Sequence, residues 1–196
     1  MNKVFLILAT LLAACGPADL KTNEEDSVAI VDPHAETIGF IETNECGWNL
    51  GDSACDFQLL DQEEESWRLS DYLGDVVLID LSAMWCGPCN SAAMSTQSIQ
   101  SQYESQGFQY VTILIVDSQN DTVDHEDVEK WSNLYGLATA PVLRGDRNLV
   151  QSAIMTYGFP VQSWPTFILV NRSGEVVYGL RGYNQEWLIQ EIEANL

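Results

Sequence analysis

Positive charge is what this chain most lacks. Eight Lys and Arg stand against 29 Asp and Glu, giving a formal net charge of −21. So thin a supply of cations excludes nucleic acid as a partner, because that binding depends on neutralising phosphates with clustered Lys and Arg. It also disfavours adsorption to anionic lipid. The acidity reads as a solvated surface that keeps the chain soluble, with attraction to a basic partner as the alternative. A membrane-length apolar run is missing too: the stretch from Val4 to Ala14 is about 11 residues, too short to cross a ~30 Å hydrocarbon core as a helix. Histidine is scarce. His34 and His125 are the only two, and a pair of thiols alone does not complete a tetrahedral zinc site, so neither a metal nor any other cofactor is expected. The acidic stretch from Asp117 to Asp127 lacks the alternation and the glycine of a calcium loop and reads as a loop and helix cap. What the 196 residues do hold is 46% hydrophobic side chains and six Trp, enough for one domain with a real core. No internal repeat is visible.

Residues 1–14 have the layout of a signal peptide: Lys3 near the start, an apolar run, and small residues before a cysteine. Leu12-Ala13-Ala14-Cys15 resembles the bacterial lipobox, which implies lipidation of Cys15. Acyl burial worth ~0.8 kcal/mol per CH₂ would then anchor the chain outside the cytoplasm, facing the periplasm. Gly16, not aspartate, follows the cysteine, which leaves outer-membrane placement as the default. The alternative is an ordinary secretory signal with an incidental cysteine. Residues 15–44 are polar and acidic and read as a tether, with a reach of ~30 Å if it behaves as a flexible coil.

The folded domain is expected over residues 45–196. Phe57 to Leu60 reads as a short strand, Asp61 to Glu65 as a turn, and Ser70 to Leu73 as a brief helix. Val76 to Leu81 is an apolar run of strand length, the pattern of a central strand buried on both faces, with one charge at Asp80. Asn90 to Tyr103 suits a helix that Gly107 ends, and Phe108 to Val116 a second buried strand. Asp124 to Tyr135 reads as a helix closed by Gly136, and a further helix is expected around Leu149 to Met155. Thr166 to Val170 and Glu175 to Tyr178 flank Asn171-Arg172-Ser173-Gly174 as a hairpin, and Glu186 to Leu196 closes the chain as a helix.

The chemistry concentrates at Trp85-Cys86-Gly87-Pro88-Cys89, between a buried strand and a helix. One helical turn brings two such cysteines within the roughly 4.4 to 6.8 Å of Cα separation that a disulfide needs. Cys86 would stand at the helix start, where unpaired N–H groups and the positive dipole end favour thiolate. Cys89, one turn further in, would be buried and protonated, placed to resolve a mixed disulfide formed by Cys86. Pro88 fits the first turn because its missing N–H costs no helical bond there. Met84 and Met94 flank the pair and read as core methionines, with Cu(I) recruitment as the alternative.

That pentapeptide resembles the thioredoxin active site, and Val77 to Trp85 resembles the strand leading into it. Trp164-Pro165-Thr166 is similar to the cis-proline element that faces the cysteine pair in that family. The likeness runs from about Gly51 to Leu196, and the segments Gly51 to Ala54 and Leu69 to Gly74 are similar to the exported TlpA and ResA branch. The resemblance implies an α/β thioredoxin-like fold, a central mixed sheet flanked by helices, with an N-terminal extension. It implies Cys86 and Cys89 as the redox couple and Asp80 as the buried acid that takes a proton from Cys89, the alternative being a solvated edge aspartate. Trp85, Gly87, Pro88, Trp164 and Pro165 would form the substrate-binding surface. The chain departs from the family at Ser82, usually Trp, at Cys55, usually proline, and at Trp164, usually aliphatic.

Five cysteines divide as one for lipid, two for redox work and two left over, Cys46 and Cys55. Gly47 and Gly51 permit the reversal that would join the last two, and an oxidising compartment would preserve a structural disulfide. A second redox pair and two free thiols stay open. The expected function is an exported thiol-disulfide oxidoreductase that reduces disulfides in extracytoplasmic partner proteins, recharged by a membrane electron donor. Rivals are a disulfide oxidase or isomerase, and a binding module such as a copper chaperone.

Overall fold

The computed structural model describes residues 39–41, 45–152 and 156–196. The signal peptide, Cys15, His34 and nearly all of the expected tether lie outside the described residues.

The chain enters as a short strand, β1 (Gly39–Phe40), which pairs with β2 (Phe57–Leu60), itself antiparallel to β3 (Ser66–Arg68). A paired strand therefore lies upstream of Cys46, within the stretch expected to be tether. The reason is Phe40, whose ring packs against Trp48, Phe57, Tyr157 and Phe159. Burying such a ring repays the ordering of the few residues that carry it.

A five-stranded mixed sheet follows, in the order β6-β5-β4-β7-β8. Its centre is β4 (Val76–Ala83) beside β5 (Phe108–Val116), parallel and buried along their whole lengths. Between them runs α1 (Gly87–Tyr103), and after them come α2 (His125–Tyr135) and β6 (Val142–Arg144). The chain then turns back through β7 (Thr166–Val170), antiparallel to β4, and β8 (Val176–Arg181), and ends in α3 (Gln185–Asn195). Two apolar layers cover the sheet. On one face Leu78, Tyr110 and Phe167 meet Ala92, Ile99 and Tyr103 of α1 and Leu188 and Ile192 of α3. On the other, Ile79, Ile113 and Ile168 meet Val128 and Trp131 of α2 and the aromatic group of Trp48, Phe57 and Phe159.

Local chemistry explains the boundaries. Asp124 accepts from the Asp127 backbone N–H while the Asp127 side chain accepts from the Asp124 N–H, a reciprocal cap for α2. Gly136 ends α2 at φ 64°, a left-handed position that glycine adopts without a Cβ penalty. Asp117 accepts from the N–H groups of Gln119 and Asp121, which fixes the acidic stretch as a turn.

Two expectations fail. No helix occupies 150–152 after the 3-10 turn at Arg147–Leu149; Val150 instead bridges to Phe159, and Gln151 N–H donates to the Phe159 carbonyl at 2.8 Å. Residues 153–155 lie outside the described set. In addition, β6 is a strand that periodicity does not reveal, because three residues after a proline carry too short a pattern.

Cys46 and Cys55 are bonded, with Cα atoms 4.8 Å apart. Their loop docks on the β7–β8 turn through Gly51 N–H to Val176 O and Ala54 N–H to Gly174 O, both 2.9 Å. Beside them a cavity of about 580 Å³ is lined by Asp56, Arg68, Ser70 and Asn171. It sits at the Val77 and Val170 end of the sheet, away from the strand end that leads to Cys86. Closing so small a loop is worth ~2–3 kcal/mol in chain entropy. The double variant Cys46→Ser/Cys55→Ser should therefore unfold about 2–3 kcal/mol more easily in urea while its exchange rate at Cys86 stays unchanged; equal loss of both would make this bridge part of the reaction.

Candidate active site

Strand β4 delivers the site. It runs buried to Ala83, and Met84 and Trp85 form a corner before Cys86 caps α1. Cys86 has extended backbone angles, φ −81° and ψ 117°, and its Sγ accepts the Cys89 backbone N–H at 3.2 Å. A sulfur thus occupies the place that a serine or aspartate oxygen takes in ordinary helix caps. No acidic residue stands in the first turn of this 17-residue helix. Negative charge on Cys86 therefore meets the positive helix end unopposed.

The two cysteines are bonded, with Cα atoms 5.2 Å apart. Cys89 is fully buried and Cys86 keeps a rim of 4% exposure, while Gly87 and Pro88 are exposed and Trp85 is 49% exposed. Of the two cysteines, only Cys86 touches the surface.

Pairing of β7 with β4 brings the proline to the same place. Thr166 lies opposite Leu81, so Pro165 falls beside the end of β4 from which the cysteine corner departs. The Trp164–Pro165 bond is cis. The Pro165 carbonyl accepts from Gly182 N–H at 2.8 Å, and Trp164 packs half-buried on the same apolar layer as Cys86 and Cys89.

Asp80 is almost fully enclosed, 1% exposed. Its Oδ1 accepts from Ser82 Oγ at 2.7 Å and its Oδ2 from the Tyr110 hydroxyl at 3.2 Å. Burial raises its pKa to about 7, against the pull of those two donors, which favour the charged form. The same carboxyl, together with burial, pushes Tyr110 well above the usual tyrosine range. Neither sulfur hydrogen-bonds to Asp80. Thr112, its register neighbour on β5, is buried with a hydroxyl that finds no protein partner.

Met84 is half-buried against the core, but Met94 is 71% exposed on α1, contrary to the expectation of a core methionine. Its position faces outward because the buried stripe of α1 runs through Cys89, Ala92, Ala93 and Thr96. His125 opens α2 with Glu129 3.8 Å away. Among the described residues no group of three or more His, Cys, Asp and Glu is arranged to hold a metal, and no helix is long and apolar enough to cross a membrane.

One residue escaped the sequence reading. Asn90, the fourth of α1, reaches back with its carboxamide to the Met84 and Cys86 carbonyls, at 3.1 and 2.6 Å, and accepts from the Tyr135 hydroxyl. Its only signal in sequence is a residue that normally competes with helical hydrogen bonds standing just inside a helix start.

Comparison with known proteins bears on this geometry. The AhpC/TSA family profile matches residues 50–179. The thiol-disulfide oxidoreductase ResA of Geobacillus thermodenitrificans is 31% identical over 146 residues, covering 74% of this chain and 77% of that protein. ResA of Halalkalibacterium halodurans is 26% identical over 141 residues, 72% and 73% of the two chains. Among solved structures, a protein assigned as the thiol:disulfide interchange protein DsbE of Chlorobium tepidum superposes with a TM-score of 0.62 at 28% identity, over 76% of this chain and 99% of that one. The exposed lipoprotein thioredoxin of Streptococcus pneumoniae shares the fold, with a TM-score of 0.56 at 24% identity over 71% and 98% of the two chains.

Proposed function

This chain belongs to the AhpC/TSA family and is a ResA-like thiol-disulfide oxidoreductase of the thioredoxin superfamily, and from that premise we propose that Cys86 and Cys89 are its redox couple and that it works as an exported reductant of disulfides in partner proteins. The observation that carries the reading is the asymmetry of the two sulfurs: one caps a helix at the rim, the other is sealed beneath it.

In the proposed cycle the Cys86 thiolate attacks one sulfur of a partner disulfide. The partner's second sulfur leaves as thiolate, and a mixed disulfide forms. Cys89 gives up its proton, for which Asp80 is the proposed acceptor, and its sulfur attacks Cys86 Sγ. That releases the partner's other thiolate and closes the Cys86–Cys89 bond. Two electrons have passed to the partner, so a dithiol donor must restore the pair before the next turnover. Trp85, Gly87, Pro88, Trp164 and the cis Pro165 are the proposed docking surface. The resemblance to the thioredoxin family implies that this cis-proline element receives an extended partner strand.

The lipobox-like Leu12 to Cys15 segment supports placement on the outer side of a membrane with Cys15 as anchor, the residues between it and β1 as a tether and the donor in the membrane. Outer-membrane attachment follows from Gly16 after the cysteine. Labelling with a fatty acid tests the anchor, and an unlabelled chain would refute it.

Direction of electron flow is tested by equilibrating the pair with glutathione. The Gly-Pro dipeptide between the cysteines leads to an expected potential near about −270 mV with insulin reduction, whereas a value near about −120 mV would mark an oxidase instead. Stoichiometric Cu(I) retention without insulin reduction would favour a copper-binding module.

A further inference from the structure

Asparagine is a poor choice for a helix interior because its side chain competes for backbone groups. Asn90 puts that competition to use. Both hydrogens of its carboxamide point backward along α1, one to the Met84 carbonyl at 3.1 Å and one to the Cys86 carbonyl at 2.6 Å. The Asn90 backbone N–H adds a third bond, again to the Cys86 carbonyl, at 3.0 Å. The two carbonyls bracket Trp85, so the whole corner that presents the first cysteine is tied to the helix behind it.

The remaining atom of the carboxamide is committed as well. Asn90 Oδ1 accepts from the hydroxyl of Tyr135, the last residue of α2. That end of α2 is itself fixed: Leu137 N–H donates to the Ser132 carbonyl, and Ser132 Oγ donates to the Leu137 carbonyl, both at 3.0 Å. The two carbonyls, which can only accept, set which way the amide faces, and the hydroxyl donates to the oxygen that this leaves toward α2.

We propose that Asn90, anchored by Tyr135, is a positioning residue that sets the reactivity of the Cys86 sulfur. The inference rests on the reading of Cys86 and Cys89 as the redox couple. The Cys86 carbonyl is the negative dipole closest to that sulfur along the chain. Two donors drawn onto its oxygen reduce the charge it turns toward a thiolate, and they tie down the first turn of α1, in which the Cys89 N–H donates to Sγ. Both effects favour Cys86 as thiolate and hence favour the reduced pair.

The test is redox equilibrium with glutathione, together with absorbance titration of the reduced pair, on the full chain and four variants. The Asn90 bonds are present with the pair joined, so only the part that strengthens beside a thiolate shifts the equilibrium: Asn90→Ala should move exchange with glutathione about two- to fivefold toward the disulfide, ~10–20 mV more reducing, and raise the Cys86 pKa. Tyr135→Phe should move both readouts in the same direction by less. The double variant should match Asn90→Ala alone, since Tyr135 acts only through the carboxamide. Asn90→Asp keeps an acceptor for Tyr135, loses both donors and adds a negative charge, and should give the largest shift of all. Tyr135→Phe removes one oxygen from a half-buried ring, so that variant stays folded and informative even if Asn90→Ala does not. Wild-type equilibria and pKa in folded Asn90→Asp and Tyr135→Phe, or additive effects in the double variant, would overturn the latch. A wild-type pair that fails to exchange with glutathione at all would overturn the redox couple and the latch with it, whereas an exchanging wild type with unshifted variants overturns the latch alone.

Discussion

Insulin reduction is expected to vanish in Cys86→Ser and to stop after one event in Cys89→Ser. The two losses differ in kind because the sulfurs differ in place. A serine hydroxyl at position 86 stays protonated even at a helix start, so the loss of attack is on the order of 10³-fold or more. A serine at position 89 leaves attack by Cys86 intact and removes only the group that resolves the mixed disulfide. Cys89→Ser should therefore accumulate a covalent adduct with a partner protein, visible as a band that a reductant dissolves. Neither variant should unfold the chain, since each serine is close in size to the cysteine it replaces. If Cys89→Ser turned over like wild type, the resolving role would belong to another thiol, and Cys46 and Cys55 would be the first to examine.

The second large effect is a stability gain bought with activity. In the folded chain the Asp80 carboxyl titrates at about 7, while its ordinary value is 3.8. Between those values the folded state holds a proton that the unfolded state has released. The associated stability is complete below about pH 4, falls as pH rises through that window, and is gone above about 7. Asp80→Asn removes the titration. Its carbonyl keeps one of the two hydroxyl donors, the other hydroxyl can turn to accept from the new amide, and Thr112 brings a buried oxygen without a protein partner on the adjacent strand. At pH 8 the variant should be more stable than wild type by about 2–4 kcal/mol, and at pH 4 the two should be nearly equal. Its turnover near neutral pH should fall by about 10- to 100-fold, the scale of a lost proton acceptor. Urea unfolding at the two pH values checks the first statement and a pH–rate profile the second. Equal stability at both values would mean that the carboxyl is solvated after all.

The fold and the placing of Cys86 and Cys89 at a helix start were legible for a physical reason: both rest on local pattern. Val76 to Leu81 and Phe108 to Val116 are apolar without alternation because they are covered on both faces, and the structure covers them. Asp124 and Gly136 mark the ends of α2 by cap chemistry alone. What sequence concealed depends on distant partners. Strand β6 exists because β5 offers it an edge, and Phe40 is ordered because four rings separated from it in sequence surround it. The segment after Leu149 has helical composition, yet it pairs with Phe159. Asn90 was hidden for the same reason: its oxygen is anchored by a tyrosine 45 residues away.

The central claim is that the start of α1 makes Cys86 acidic. It is tested most directly by following thiolate absorbance near about 240 nm while the reduced chain is titrated, with Cys86→Ser as the blank. The account predicts one thiol ionising well below the range of a cysteine in an unstructured peptide and absent from Cys86→Ser, with Cys89 remaining protonated to much higher pH. A Cys86 thiol that ionised near about 8.5, like a cysteine in an unstructured peptide, would contradict it.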